Sequence, residues 1–142
     1  MNGSGAMKHL VIVAKEYMEA ILKGDKKIEC RLMSWRCVPY DRVERGDKLF
    51  FKVVSGPVRA VAKVSEVRKW DNLTTKGIRE LRRQYNQEIL GTERYWRSKA
   101  RAKYAVLVWL TNVKEIASRA INKKDRSAWV ILSKDKSYGL VG

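Results

Sequence analysis

The order of apolar and polar residues in the first half of the chain predicts strands around one helix. Residues 10–14 form an unbroken apolar run typical of a buried strand, and residues 15–23 carry apolar side chains at helical spacing. Gly24 suits the position that ends such a helix. Residues 48–54 form a mostly apolar segment, and after the turn at residues 55–57 residues 58–67 alternate between apolar and polar, which predicts a β-hairpin.

The second half of the chain continues the mixture of strands and helices. Thr74 or Thr75 can cap a helix that runs to about residue 90 and ends at Gly91. Two later apolar segments, residues 104–110 and 127–132, are predicted strands. Because these elements do not follow a regular βαβ order, we predict an α+β fold: a small mixed β-barrel of about five or six strands with two or three flanking helices.

Composition indicates one folded domain with an anionic partner. The chain has 142 residues, of which 45% are hydrophobic, so it can bury a core. Lys and Arg number 31 against 15 Asp and Glu, a formal net charge of +16 at pH 7. Such an excess is typical of proteins that bind nucleic acid. We predict that residues 1–7 are a tag-like start and that residues 8–142 form a single domain.

The apolar segments are too short to cross a membrane or to serve as a secretory leader. We therefore expect a soluble, cytoplasmic protein without a membrane partner. The chain has two cysteines and one histidine, too few for the usual zinc sites, and it lacks the glycine-rich nucleotide loops. No metal and no cofactor is expected, and any catalysis has to use Lys, Glu, Tyr or Thr side chains.

One cluster of charges is predicted where the first helix gives way to a strand. Residues 27–32 alternate between charged and apolar, so Glu29 and Arg31 project from the same face, and Lys26 in the preceding turn can reach over them. Glu29 can accept from a base amine while Lys26 and Arg31 hold phosphate oxygens. Alternatively, Lys26 stabilises a developing anion and Glu29 acts as general base. A third interpretation is a structural ion pair.

These residues fit a recognisable motif. Residues 24–31 match the pattern G-x-K-x-x-E-x-R, and a Gly46-Asp47 turn and a strand follow. In this order of elements, over residues 8–132, the sequence resembles the ASCH family of the PUA-like superfamily. The resemblance implies a β-barrel with flanking helices and a cleft for RNA or modified nucleic acid, lined by Lys26, Glu29 and Arg31.

The resemblance also implies two kinds of activity. Some ASCH relatives are ribonucleases, and others are amidohydrolases that remove an acyl group from a modified cytidine. In the amidohydrolases a Thr stands three residues after the motif lysine, where this chain has Glu29. That departure removes the nucleophile of the amidohydrolase reaction.

Basic and aromatic residues outside the motif predict a larger nucleic-acid surface. A predicted helix and the basic segment after it would hold the phosphate backbone through Lys76, Arg79, Arg82, Arg83, Arg94, Arg97, Lys99, Arg101 and Lys103. Aromatic rings can stack on unpaired bases, and basic side chains beside them can close the cleft. We assign to the cleft, besides the motif residues, Trp35, Arg36, Tyr95, Trp96, Arg126 and Trp129.

The sequence therefore predicts an RNA-binding domain that takes a nucleotide or a single-stranded segment into a basic cleft. RNA is favoured over DNA as the partner, and a monomer is the simplest assembly. The alternative is an enzyme that uses the same cleft, either a metal-independent ribonuclease or a hydrolase acting on modified nucleosides. In that case Lys26 and Glu29 would be its catalytic residues.

Overall fold

Residues 6–140, which the computed structural model describes, contain six strands and three helices. The first half of the chain runs β1 (Lys8–Val13), α1 (Lys15–Lys23), β2 (Ile28–Met33), β3 (Lys48–Val53) and β4 (Val58–Trp70). The second half runs α2 (Thr75–Ile89), α3 (Glu93–Ser98), β5 (Tyr104–Arg119) and β6 (Trp129–Ile131).

All six strands belong to one mixed sheet that curls into a half-barrel. The strand order is β2-β5-β4-β3-β1-β6, and only β1 and β3 are parallel neighbours. The two longest strands, β4 and β5, pair along most of their lengths. The predicted α+β fold, with its mixed barrel-like sheet and flanking helices, is confirmed.

Three apolar clusters hold this sheet. Inside the curl, α1 places Met18 and Ile21 against β-strand residues such as Phe51 and Val108. On the outer face, α2 and α3 cover β2 and β5. Elsewhere on the same outer face, the chain after β5 packs over Leu10 and neighbouring apolar side chains. The sheet therefore has helices on two sides, and α1 fills its concave side.

The helix boundaries follow the sequence signals, with one correction. Helix α1 ends at Gly24, which has φ 84°, and Thr74 caps α2 by accepting from the Gly77 amide. The left-handed residue that ends α2 is Leu90, with φ 59°, and not the predicted Gly91. Gly91 is needed for space instead, because a Cβ there would lie 2.6 Å from Nε1 of the Trp96 indole.

The structure covers the predicted domain, residues 8–142, as far as residue 140. Residues 1–5 and 141–142 lie outside the described residues, so most of the predicted tag-like segment 1–7 does too. Met7 already belongs to the fold, because its amide donates to Asp47 and its carbonyl accepts from Lys48. In the part of the chain that is described, none of the helices combines the length and apolarity needed to span a bilayer.

A buried hydrogen-bond chain ties the first strand to the last. Nε2 of His9 lies 2.7 Å from Oδ2 of Asp47, and the Trp129 indole donates to Nδ1 of His9 at 2.9 Å. Since Nδ1 accepts, the tautomer that satisfies both contacts is neutral and carries its proton on Nε2. Burial lowers the pKa of His9, and the hydrogen bond to Asp47 opposes that shift. Asp47 comes from the Gly-Asp turn of the sequence motif.

This network predicts a pH dependence of stability. Because His9 has a lowered pKa in the fold, the unfolded chain binds the extra proton more readily below about pH 6.5, the ordinary value. Stability should therefore fall between about pH 7.5 and about pH 5.5, by at most about 1.4 kcal/mol per pH unit. His9 is the only histidine in the chain. Urea unfolding at several pH values measures the effect.

The matched variant is His9→Gln, which keeps a donor for Asp47 and an acceptor for Trp129 but does not titrate. Its unfolding free energy should be nearly constant over the same pH range. An equal loss of stability in the wild type and the variant would show that His9 is not the responsible group.

Candidate functional site

A pocket of about 180 Å³ lies between β2, the β1–α1 connection and the α2–α3 segment. Its mouth is partly open. The residues around it are Ile12, Val13, Ala14, Tyr17, Lys26, Glu29, Cys30, Arg31, Leu32, Ile89, Gly91, Tyr95 and Lys99. The pocket thus brings together residues from opposite halves of the sequence.

Local sequence signals place the motif residues in this pocket. Gly24 turns the chain after α1, and the amides of Asp25 and Lys26 both donate to the carbonyl of Ala20. The chain then enters β2, where Glu29 pairs with Val108 and Arg31 with Val106 of β5. These two valines belong to the inner core cluster, so both charged side chains lie on the concave face of the sheet.

The Glu29 carboxylate is the buried centre of the pocket. Its Oε2 accepts from Nε of Arg31 at 2.8 Å and lies 2.7 Å from Nη2 of the same guanidinium. Its Oε1 is 3.6 Å from Nζ of Lys26 and has no hydrogen-bond partner. A buried acceptor without a donor costs about 1–3 kcal/mol. Glu29 therefore has one oxygen free to accept a hydrogen bond from a ligand.

The Lys26 ammonium is buried beside this carboxylate. It donates to the carbonyl of Ile89 at 2.5 Å and lies 4.8 Å from the centre of the Tyr17 ring. Burial lowers the pKa of Lys26, while the negative charge of Glu29 acts to raise it. An ammonium has three donors, and only one of them is used by a protein acceptor within hydrogen-bond distance. Lys26 can therefore donate to a second group in the pocket.

Arg31 links the two edges of the sheet. No backbone ladder joins β2 to β6 in the described part of the sheet. The guanidinium of Arg31 reaches from β2 across this gap and donates to the carbonyls of Ile12, at 3.0 Å, and of Ala128, at 3.5 Å. It also lies 5.3 Å from the Trp129 ring. The side chain that neutralises Glu29 thus also connects the open edges of the half-barrel.

The other polar groups of the pocket are poor nucleophiles. The Tyr95 hydroxyl donates to the carbonyl of Cys30 at 3.0 Å, and burial raises the pKa of this phenol. Burial also raises the pKa of the Cys30 thiol to about 11. No Ser or Thr side chain lines the pocket within residues 6–140. The geometry therefore offers recognition and proton transfer rather than covalent catalysis by a hydroxyl or thiolate.

Comparison with solved structures assigns the fold. The crystal structure of ASCH from Zymomonas mobilis matches with a TM-score of 0.72 and 16% sequence identity, over 92% of this chain and 90% of that chain. This chain has the ASCH fold. A single-residue variant of the Zymomonas mobilis ASCH matches with a TM-score of 0.74 and 17% identity, over 96% of each chain.

A more distant match is the crystal structure of the hypothetical protein PH0355. It has a TM-score of 0.52 and 21% identity over 78% of this chain and 100% of that chain. Neither the protein-family models nor the curated protein sequences gave a match. The resemblance predicted from the G-x-K-x-x-E-x-R motif is therefore confirmed in three dimensions, at identities where the backbone is shared and most side chains differ.

The pocket contains some of the residues predicted for the cleft and not others. Lys26, Glu29, Arg31 and Tyr95 line it. Trp129 does not line it, but its ring packs against the guanidinium of Arg31. Trp96 does not line it, because the side chain is buried beneath α2 and its indole donates to Asn86 at 2.9 Å. The remaining three lie outside the pocket: they are Trp35, which is 72% exposed, Arg36, which pairs with Asp41, and Arg126, which is exposed.

The residues predicted to contact phosphates lie on and after α2 and α3, a region that we call the α2–α3 basic surface. Lys99 belongs to the pocket itself. Three arginines already pair with carboxylates: Arg82 and Arg97 with Glu93, and Arg83 with Glu80. Of the residues predicted to contact phosphates, five are exposed and have no carboxylate within 4.0 Å among residues 6–140: Lys76, Arg79, Arg94, Arg101 and Lys103.

Sequence reasoning missed Tyr17 and the Ile89 carbonyl as neighbours of Lys26. Tyr17 fits the apolar stripe of α1, so its position gives no sign of a ligand site. Ile89 is 63 residues from Lys26, and only the packing of α2 against β2 brings them together. No local pattern in the sequence indicates such a contact.

The buried charges predict unequal effects of removing them. Glu29→Ala leaves two cations without their carboxylate, so the free energy of unfolding should fall by about 3–5 kcal/mol. Lys26→Met should cost only about 1–2 kcal/mol, because Arg31 still neutralises Glu29 and only the Ile89 carbonyl loses its donor. Denaturant unfolding of both variants measures this difference. Equal destabilisation by the two substitutions would contradict the central position of Glu29.

Proposed function

We propose that this protein binds single-stranded nucleic acid, RNA in preference to DNA, and receives one nucleotide in the pocket. The pocket would hold the base through Lys26, Glu29 and Arg31, and the α2–α3 basic surface would hold the phosphate backbone. ASCH-fold proteins are generally associated with RNA, which supports the choice of RNA. The net charge of +16 supports a polyanionic partner.

The observation that carries the proposal is the unpaired Oε1 of Glu29. It is buried, lacks a hydrogen-bond donor and belongs to a side chain that lines the pocket. A ligand that supplies an N–H group removes the cost of this unpaired acceptor. The exocyclic amine of cytosine is such a donor, and acidic side chains accept from it in nucleic-acid complexes. Uracil has a carbonyl at that position.

The size and charge of the pocket fit one base rather than a larger ligand. Drug-sized ligand pockets measure roughly 300–1,000 Å³, and this one measures about 180 Å³. Lys26 and Arg31 flank the carboxylate, and half-buried Lys99 lies on the wall formed by the segment after α2. A planar group can therefore enter with its amine at Glu29, while its carbonyl or phosphate oxygens face cations.

Base preference tests this proposal. Fluorescence anisotropy should show tighter binding of a labelled oligocytidine than of an oligouridine of equal length, by roughly 1–3 kcal/mol. Glu29→Gln keeps the side-chain shape but offers an amide donor, so the preference should vanish or invert towards uracil. If the wild type binds both oligonucleotides equally, Glu29 does not read the base.

The backbone contacts are tested separately with Arg94→Gln and Arg101→Gln. Both arginines are exposed and have no carboxylate partner among the described residues. The double variant should bind all sequences more weakly and have a shallower salt dependence, by about 0.7 in log–log slope for each phosphate of a single strand that it no longer neutralises. Its ratio of cytidine to uridine affinity should stay at the wild-type value. A changed ratio with an unchanged slope would contradict the division between pocket and surface.

A metal-independent ribonuclease is the second candidate function. The observation that favours it is the lowered pKa of Lys26 beside Glu29, because such a pair can exchange a proton near a reacting phosphate. End-labelled single-stranded RNA, incubated with the protein and EDTA, distinguishes the candidates on a denaturing gel. Fragments from the wild type but not from Lys26→Ala would establish the nuclease. Intact RNA in both lanes is the result expected of a binding protein.

A further inference from the structure

A row of lysines crosses the outer face of the sheet, away from the pocket. Lys8 of β1 pairs with Lys48 of β3, and Lys48 pairs in turn with Lys63 of β4. Residues directly opposite each other in a sheet project from the same face. Phe50 and Val61, one alternation further along these strands, belong to the apolar cluster of that outer face. The three side chains, which we call the lysine row, therefore lie side by side on it.

A fourth lysine joins the row at a shallow hollow. Lys114 of β5 pairs with Val61 of β4, and Lys48, Lys63 and Lys114 all border the same surface hollow of about 300 Å³. These three lysines are exposed, and Lys8 is half-buried. The hollow is partly apolar, because Val61 and Ala62 also line it.

No described carboxylate neutralises these four lysines. The ion pairs within residues 6–140 involve other cations. Asp47 precedes Lys48, but its carboxylate oxygens accept from the amides of Met7 and Glu44 and contact His9. Like charges directly opposite each other in neighbouring strands destabilise a sheet. The fold thus carries an electrostatic cost at the lysine row that an anionic partner would relieve.

We propose that the lysine row and Lys114 form a second nucleic-acid surface, which binds the phosphate backbone of a single strand. Neighbouring strands are about 4.8 Å apart, so adjacent ammonium groups on flexible stems can follow successive phosphates. The apolar side of the hollow offers contact for a sugar or base, which an acidic peptide would not require. A nucleic acid is therefore the better match than an acidic protein.

This surface is separate from the site proposed above. Lys8 begins β1, whereas Val13 at the other end of that strand belongs to the inner core cluster and borders the pocket on the concave side of the sheet. About five residues of strand span about 17 Å, and the side chains concerned point to opposite faces. A strand held in the pocket and a strand held by the lysine row can therefore be two segments of one RNA.

The test uses a labelled oligouridine of about 25 nucleotides, which has no base amine for Glu29. The triple variant Lys48→Gln, Lys63→Gln, Lys114→Gln should reduce the log–log salt slope of binding by about 2, since each single-strand phosphate contact contributes about 0.7. The control Lys23→Gln, Lys124→Gln, Lys134→Gln removes the same charge from exposed lysines elsewhere. Its slope should change by less than one contact, about 0.7. Equal changes in the two triple variants would overturn the proposal.

Two further measurements show whether weaker oligouridine binding by the triple variant reflects lost phosphate contacts, a damaged fold or a surface for an acidic protein. The triple variant of Lys48, Lys63 and Lys114 should melt at a higher temperature than the wild type, because the opposed like charges of Lys48 and Lys63 are gone. A lower melting temperature with a reduced helical signal would refute the claimed repulsion. A labelled polyglutamate peptide should bind the wild type far more weakly than the oligouridine. If polyglutamate binds as tightly and no longer binds the triple variant, the surface serves an acidic protein and the nucleic-acid assignment is wrong.

The outcome is independent of the pocket. Adding the triple lysine substitution to Glu29→Gln should reduce the salt slope of oligouridine binding as much as it does in the wild type. Equal affinity of the wild type for oligocytidine and oligouridine, with a retained effect of the lysine variants, would refute the pocket proposal alone. A retained cytidine preference with no effect of the lysine variants would refute the second surface alone.

Discussion

The burial of the Glu29 carboxylate between Lys26 and Arg31 is the constraint on which the pocket and the seam of the sheet both depend. A buried carboxylate requires positive partners, and here one partner comes from the turn after α1 and the other from the same strand. Arg31 then extends to the carbonyls of Ile12 and Ala128, so neutralising Glu29 also connects β2 to the opposite edge of the half-barrel. The same three side chains thus serve stability and leave one oxygen free for a ligand.

A second buried set of polar contacts, the hydrogen bonds of His9, also stabilises the sheet around this cluster. His9 joins Asp47 to Trp129, and Trp129 packs against Arg31, so a continuous set of contacts runs from the Gly-Asp turn to the pocket. The structure therefore gives a role both to the charged residues of the G-x-K-x-x-E-x-R motif and to the aspartate of the Gly-Asp turn. Lys26 and Glu29 position charges, while Asp47 fixes the first and last strands that form the far wall. The same few contacts thus join the strands of the sheet and form part of the pocket.

Local signals predicted the parts of the fold that local physics determines. The alternation in β2 placed Glu29 and Arg31 on one face, and Gly24 ended α1 because its φ of 84° favours glycine. Trp96 was assigned to the cleft from the basic residues beside it, but its buried hydrogen bond to Asn86 depends on how α3 folds back onto α2. The buried role of His9 was also missed, since Trp129 is 120 residues away. Contacts of that separation leave no periodic trace in a single sequence.

The central claim is that the free oxygen of Glu29 accepts a base amine. The most direct test is the side-chain carboxyl ¹³C signal of Glu29, assigned with Glu29→Gln and followed by NMR during titration with cytidine and uridine monophosphates. The account predicts that the signal shifts with the cytidine nucleotide and scarcely moves with the uridine nucleotide. A signal unchanged by both nucleotides, while backbone amides of α2 and α3 respond, would show that nucleotides bind only at the surface and would contradict the account.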